Sequence, residues 1–240
     1  MLSRYFQRGV AAGFVAGLAY ATYMLLVGNP LSEYVDGAGH AHEHAGAVSE
    51  LTTAAVSVGS GLLWTILLGG VLALALYALE PALPGPEAAK PYILAGAGFL
   101  TVSGFPWLVL PPAAPGAVHA YPVDVRIRLY VGLVVLGALT VAASVAAYDR
   151  GVRRHVGIGL VAGATPLLAV AAALSLVAPT VTTHPDLPAE LVATYQGLAV
   201  LSQAALWLLI AATFDALGRW ASIRTDEPEP TAPSDDALVG

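Results

Sequence analysis

Residues 9–28 read GVAAGFVAGLAYATYMLLVG, twenty residues without a charge. An apolar run of about 20 residues is long enough for a helix to cross the hydrocarbon core of a bilayer, which is roughly 30 Å thick. Gly9, Gly13 and Gly17 recur every fourth residue, so one face of this helix lacks side chains and another helix can approach it closely. The stretch predicts a first membrane-spanning helix. We expect it to end at Asn29-Pro30, because the residue before a proline disfavours helical conformation.

Similar apolar runs recur along the whole chain. Of the 240 residues, 57% are hydrophobic and 11% are charged, and the mean hydropathy is +0.73. We predict an all-α fold, a polytopic membrane helical bundle of about six transmembrane helices. The five further spans are expected at about Val56–Leu79, Tyr92–Leu110, Ile127–Tyr148, Val156–Ala178 and Leu191–Leu217. Residues 1–224 would form the integral membrane domain, and residues 225–240 an acidic, proline-rich, disordered tail.

The first apolar run has an alternative interpretation as a cleavable signal peptide. Ala19-Tyr20-Ala21 resembles a small-residue cleavage site. The run continues through residues 24–27, however, and reaches the length of a full span. This length favours a retained helix.

The third predicted span contains Gly104 and Pro106, which disfavour regular helix. We predict that this span is kinked or partly unwound. Backbone groups freed there need partners from protein or water, because lipid offers none. Filling the gap with Gly104→Leu is expected to obstruct close packing or an ion route.

The basic residues are distributed unequally between the two sides of a six-span protein. Eight of the ten Lys and Arg residues fall on the side of both termini, and only Arg126 and Arg128 fall on the other. Because cytoplasmic segments retain Lys and Arg, both termini are predicted to be cytoplasmic, in a multi-pass protein of the plasma membrane. Arg126 and Arg128 then need lipid headgroups or an acidic partner such as Asp124.

Histidines and carboxylates are concentrated in the predicted outer loops. The first outer loop contains His40, His42, Glu43 and His44, and no Lys or Arg lies between residues 29 and 50. Imidazole and carboxylate groups together bind divalent transition metals. His40 and His44 share a face if the loop is helical, and all three histidines share a side if it is extended. The alternative is a solvated acidic loop in which no histidine is a ligand.

The other two outer loops carry His119 and His184, so five of the six histidines lie on the predicted outer side. Seven acidic residues share these loops, and a face of this kind attracts cations. We therefore include His119 and His184 among the candidate metal ligands. The simpler explanation is that histidine avoids the bilayer core.

Several function classes are disfavoured by what the sequence lacks. The chain has no cysteine, which excludes disulfides and thiolate ligands. No predicted span contains a histidine, which argues against an intramembrane serine protease and against haem bound within the bundle. There is no phosphate-binding loop, so this chain does not itself use ATP. We expect no enzyme activity, no tightly bound cofactor and no nucleic-acid partner.

One stretch resembles a known family. Residues 98–100, GFL, and residues 106–116, PWLVLPPAAPG, followed by Arg126, resemble the proline-rich signature of the CbtA family of predicted cobalt transporter subunits. The glycine-stepped first helix and residues 186–191 are similar to that family too, so the resemblance covers most of residues 4–220. It implies an integral membrane component of cobalt uptake that works with a small single-span, histidine-bearing partner subunit.

These inferences favour a membrane subunit of a divalent-metal importer. Co²⁺ is the expected transported ion, with Ni²⁺ as a second candidate. The outer His/Glu loop would capture the ion, and the broken third span would line part of its path. The alternative is a non-transporting membrane scaffold or assembly subunit that senses or buffers metal, and the scarcity of polar ligands in the spans favours it.

Overall fold

The computed structural model describes residues 2–39, 50–178 and 181–225. Over these ranges the chain forms eight α-helices: α1 Leu2–Tyr23, α2 Asn29–Gly39, α3 Glu50–Leu79, α4 Lys90–Phe99, α5 Phe105–Val109, α6 Val123–Val152, α7 Val156–Val177 and α8 Ala189–Thr225. Two short strands, β1 Val118–His119 and β2 Thr182–Thr183, pair antiparallel. His40, His42, Glu43 and His44 lie outside the described residues, as do residues 226–240 of the predicted tail.

Among the residues that the structure describes, six helical stretches are long and apolar enough to cross a membrane, which confirms the predicted fold class. They are Leu2–Ala38, Ala54–Ala82, Glu87–Val109, Val123–Val152, Val156–Val177 and Ala189–Ala221. Each contains one of the predicted spans almost completely. Most extend further at one or both ends, because polar residues continue the helices beyond the apolar runs.

The first span packs closely against α3 because its glycines allow that helix to approach. A Cβ atom on Gly13 would lie 2.9 Å from the Cα atom of Ile66 and would collide with the carbonyl oxygen of Thr65. Gly9 and Gly17 make similarly close approaches to α3. The four-residue glycine spacing therefore produces the backbone contact that it predicts.

The first helix does not end at Asn29-Pro30, so that prediction is wrong. Residues Met24–Gly28 form a π-helix, and the N–H of Asn29 donates to the carbonyl oxygen of Met24. A π turn shifts the hydrogen-bond register by one residue, which lets the helix continue past a proline that has no N–H. The side-chain amide of Asn29 also donates to Oγ of Ser57 on α3, at 3.0 Å.

The spans form two groups, which the third span connects. One group contains α1, α3, α4 and α8, and the other contains α5, α6 and α7. The third span is divided between them, with α4 in the first group and α5 in the second. Its residues Leu100–Gly104 form a second π-helix at the junction. The predicted irregularity is therefore present, as a π-helix in a span that stays helical.

Candidate functional site

The second and third predicted outer loops come together as one small outer cap, residues 110–122 and 181–188. The strands β1 and β2 pair across the cap, with His119 opposite Thr182. The N–H of Ala120 donates to the carbonyl oxygen of Val181 at 2.9 Å. The structure therefore brings the loop of His119 and the loop of His184 to the same place.

The Pro-Pro-x-x-Pro-Gly stretch supplies the turn that leads into β1. The N–H of Ala117 donates to the carbonyl oxygen of Ala114 at 3.2 Å, and Gly116 has φ +74°. Proline at the second turn position and a positive φ at the third are the features of a type II turn. Glycine is needed at 116 because other residues rarely adopt this φ.

The two histidines of the cap use their ring nitrogens differently. Nε2 of His184 accepts a hydrogen bond from the N–H of Ala114 at 3.1 Å. Its lone pair is thus engaged, and a metal at this atom would have to displace that bond. Nδ1 of His119 lies 3.3 Å from Oγ1 of Thr182. In the tautomer in which Nδ1 donates its proton to this hydroxyl, Nε2 keeps a lone pair that a ligand can use.

The protonation of His119 also favours ligand binding. Desolvation lowers the pKa of His119, and the charge of Arg126 and the proximity of His184 lower the pKa further. A metal requires the neutral imidazole. His119 therefore keeps this form to a lower pH than a free histidine does.

The described part of the chain does not contain a complete metal site. Across residues 2–39, 50–178 and 181–225, no three His, Asp or Glu side chains are grouped to hold an ion. His119 and His184 alone do not complete such a site. The role of His40, His42, Glu43 and His44 stays a prediction.

The two basic residues of the outer side have different surroundings. Arg128 pairs with Asp124 at 2.5 Å, and both side chains are exposed. Arg126 lines a cavity of about 330 Å³ under the outer cap, next to His119. Nε of Arg126 is buried and has no hydrogen-bond partner among the residues that the structure describes.

The predicted route residues lie at the junction in the third span. Pro106 is buried in the first turn of α5. The three atoms nearest to a Cβ on Gly104 belong to Phe99 and Leu100 of the same span, the closest being Cδ2 of Leu100 at 3.1 Å. A side chain at 104 would thus first meet its own span. The closest approach to another helix is at Gly98, where a Cβ would collide with the ring of Trp207 on α8.

The backbone of the π-helix at this junction finds a partner from another span. The hydroxyl of Tyr130 on α6 donates to the carbonyl oxygen of Val102 at 3.0 Å. Lipid could not provide such a donor. The contact also joins the third span to the second group of helices.

A second cavity, of about 400 Å³, lies at the opposite end of the bundle and is lined by several charged residues. The hydroxyl of Tyr5 donates to the carboxylate of Glu80 at 3.0 Å, and Nζ of Lys90 lies 3.8 Å from the other oxygen of that carboxylate. These contacts join the start of α1, the end of α3 and the start of α4. The N-terminal segment and the second loop therefore lie at the same end of the bundle, as six membrane crossings predict.

The same end of the bundle joins α1 to α8 through Arg8. Its guanidinium lies over the ring of Phe214, with Cζ 4.0 Å from the ring centroid, and Nε donates to the Phe214 carbonyl oxygen. Asp215 forms an ion pair with Arg219 at 3.1 Å. Sequence reasoning missed this cavity, because its residues come from four different spans. The only local signal is the four-residue spacing of Asp215 and Arg219, which predicts their ion pair.

A labelling experiment tests which end of the bundle faces outward. The chain has no cysteine, and Ala120 and Ala88 are exposed alanines on opposite sides of the predicted membrane. In intact cells, Ala120→Cys is expected to react with a membrane-impermeant thiol reagent and Ala88→Cys to react only after lysis. The reverse pattern would overturn the orientation that the charge bias predicts.

In the described part of the chain, six helices that are long and apolar enough to cross a membrane define a multi-pass helical membrane protein. The chain belongs to the CbtA family, because the family model described as "Probable cobalt transporter subunit" matches residues 2–219. This match confirms the resemblance seen in the sequence. Searches of curated proteins and of solved structures each found no match. The family places the chain among plasma-membrane transporter subunits, which work with partner subunits.

Proposed function

We propose that this chain is a membrane subunit of a Co²⁺ uptake transporter and that its first outer loop captures the ion. The observation that carries the proposal is the family match over residues 2–219. His40, His42, Glu43 and His44 offer nitrogen and oxygen donors of the kind that bind divalent transition metals. Capture by an exposed loop suits transport, because an ion that is held too tightly does not move on.

The outer cap supports a second contact for the ion at Nε2 of His119. This nitrogen is available to a ligand, and burial helps to keep the ring neutral. The nearby charge of Arg126 opposes a cation at this position. His119 would therefore act together with the acidic first loop. The expected partner is a small single-span subunit that carries further histidines.

A second candidate function is a non-transporting scaffold or assembly subunit that senses or buffers metal. The buried polar residues of the described ranges favour it, because only one of them is ionisable. They are Thr65, Ser103, Thr140, Ser144 and Asp215. Membrane paths for ions are usually marked by polar or charged groups that face the interior of the bundle.

Metal uptake into proteoliposomes separates the two functions. The purified chain would be reconstituted alone, then with its partner subunit, and accumulation of ⁵⁷Co²⁺ would be measured. A transporter subunit is expected to give protein-dependent uptake in at least the second preparation. Binding of Co²⁺ without accumulation in either preparation would favour the scaffold.

The capture loop can be tested by replacing His40, His42 and His44 together with alanine. Removing three ligands should raise the Co²⁺ concentration for half-maximal uptake by about tenfold or more. The maximal rate should change less, because the loop lies outside the spans. His155→Ala is the control, since His155 lies at the other end of the bundle and accepts a hydrogen bond from the N–H of Gly157.

The pH dependence of binding gives an independent readout of the same loop. Histidines must be neutral to bind a metal, and their usual pKa is about 6.5. Calorimetric titration with Co²⁺ should therefore show strong binding by the unmodified protein at pH 7.5 and weak binding at pH 5.5. The triple variant should bind weakly at both. Equal binding by the two proteins at both pH values would mean that the loop is only a solvated linker.

A further inference from the structure

The cavity under the outer cap carries the positive charge of Arg126, which by itself disfavours a metal ion unless an anion neutralises it. Arg126 and His119 line it, and none of its described lining residues is acidic. The nearest acidic residue in sequence, Asp124, is held by Arg128. A positively charged, carboxylate-free cavity attracts an anion.

Arg126 also has an unmet requirement for a hydrogen-bond acceptor. Its Nε is buried without a partner in the described part of the chain. An unpaired buried donor is costly, and a guanidinium is well shaped to bind the oxygens of a phosphate or carboxylate with two parallel hydrogen bonds. Because Arg126 lines a cavity without a carboxylate, an oxyanion bound there would give its guanidinium an acceptor that the described protein does not supply.

The position of the cavity identifies the source of that oxyanion. Val123 begins the fourth span, so Arg126 lies only about 4.5 Å further along the helix, near the end of a span, where lipid phosphates are expected. The cavity wall includes Val123 and Ile127, which are 60% and 57% exposed. An apolar wall that is open to the membrane suits the acyl and glycerol parts of a lipid.

We propose that this cavity binds the phosphate group of a membrane phospholipid through Arg126, with the start of the acyl chains against Val123 and Ile127. A free phosphate has the same head chemistry but makes no use of the apolar wall. Bound phosphate would also neutralise the charge beside His119. Such a site would explain why Arg126 lies on the predicted outer side of the membrane, where Lys and Arg are usually rare.

Native mass spectrometry of the purified full chain can test this site. Adducts with phosphatidylglycerol would be titrated and compared with diacylglycerol of the same acyl chains and with glycerol 3-phosphate. Arg126→Gln is expected to raise the apparent Kd for phosphatidylglycerol about tenfold. Arg128→Gln, the control on the same turn of α6, should change it less than twofold. Diacylglycerol and glycerol 3-phosphate should bind much more weakly.

Three outcomes would overturn the proposal. An unchanged Kd in Arg126→Gln, or equal losses in both arginine variants, would reduce the effect to general surface attraction. Equal affinity for glycerol 3-phosphate would mean a site for soluble anions. If Arg126→Gln does not fold, Ala113→Phe takes its place, because it should fill the cavity and weaken phosphatidylglycerol binding with Arg126 retained.

Discussion

Replacing Gly13 with leucine is expected to abolish most of the correctly folded protein. The side chain would have to occupy space that the carbonyl oxygen of Thr65 and the Cα atom of Ile66 already fill. Both are backbone atoms, so no change of rotamer relieves the clash, and α1 must move away from α3. Overpacked cores typically lose about 1–3 kcal/mol, and we expect a loss at the upper end of this range.

The matched control for this variant is Gly132→Leu on α6. No atom lies within 4 Å of a Cβ at residue 132, and leucine favours helix over glycine. Gly132→Leu should extract from the membrane as a monodisperse protein that is at least as heat-stable as the unmodified chain. The measurement is size-exclusion chromatography in detergent after heating. Similar behaviour of the two variants would mean that the contact between α1 and α3 does not determine stability.

The sequence predicts the contact at Gly13 because glycines four residues apart must lie on one face of a helix. It does not predict how the helix passes Pro30. The residue before a proline disfavours helical conformation, but this preference is purely local. It is outweighed here by the π turn at Met24–Gly28 and by the hydrogen bond between Asn29 and Ser57. The partner Ser57 lies on another helix, so no local pattern could reveal it.

The outer cap shows the same division between local and distant information. Pro115-Gly116 indicates a turn from the sequence alone, because proline and glycine fit only a few turn types. The engagement of His184 by Ala114 could not be predicted, since 70 residues separate them. From the sequence alone, His119 and His184 are therefore equivalent candidate ligands. The structure distinguishes them, because Nε2 of His184 accepts a hydrogen bond and Nδ1 of His119 contacts Thr182.

The third span gives a further example. Gly104 and Pro106 correctly predict an irregular helix, because Gly104 is the last residue of the π-helix and Pro106 follows two residues later. The sequence gives no reason to choose Gly98 as the position of close helix contact, because this depends on where Trp207 packs. Trp207 is 6% exposed and belongs to the main core, with Leu94 and Phe214. Its position is decided by the packing of α8 against α4.

Replacing Gly98 with leucine is therefore expected to separate α4 from α8 and to lower Co²⁺ uptake strongly. A Cβ at residue 98 would collide with the indole ring of Trp207, and a buried indole has little room to move. We expect a loss of about 2 kcal/mol in stability. Uptake per folded molecule should fall further, because α4 is the half of the third span that joins the junction at Leu100–Gly104 to the first group of helices.

Gly96→Leu provides the control within the same helix, because no atom lies within 4 Å of a Cβ there. Both variants carry the same substitution, two residues apart, so they differ only in the surface of α4 that receives the side chain. Thermal unfolding and proteoliposome uptake, normalised to monodisperse protein, would be measured for both. If Gly98→Leu loses stability and keeps normal uptake per folded molecule, the contact with Trp207 is structural only. If both variants transport normally, the third span does not need its present packing against α8 to move the ion.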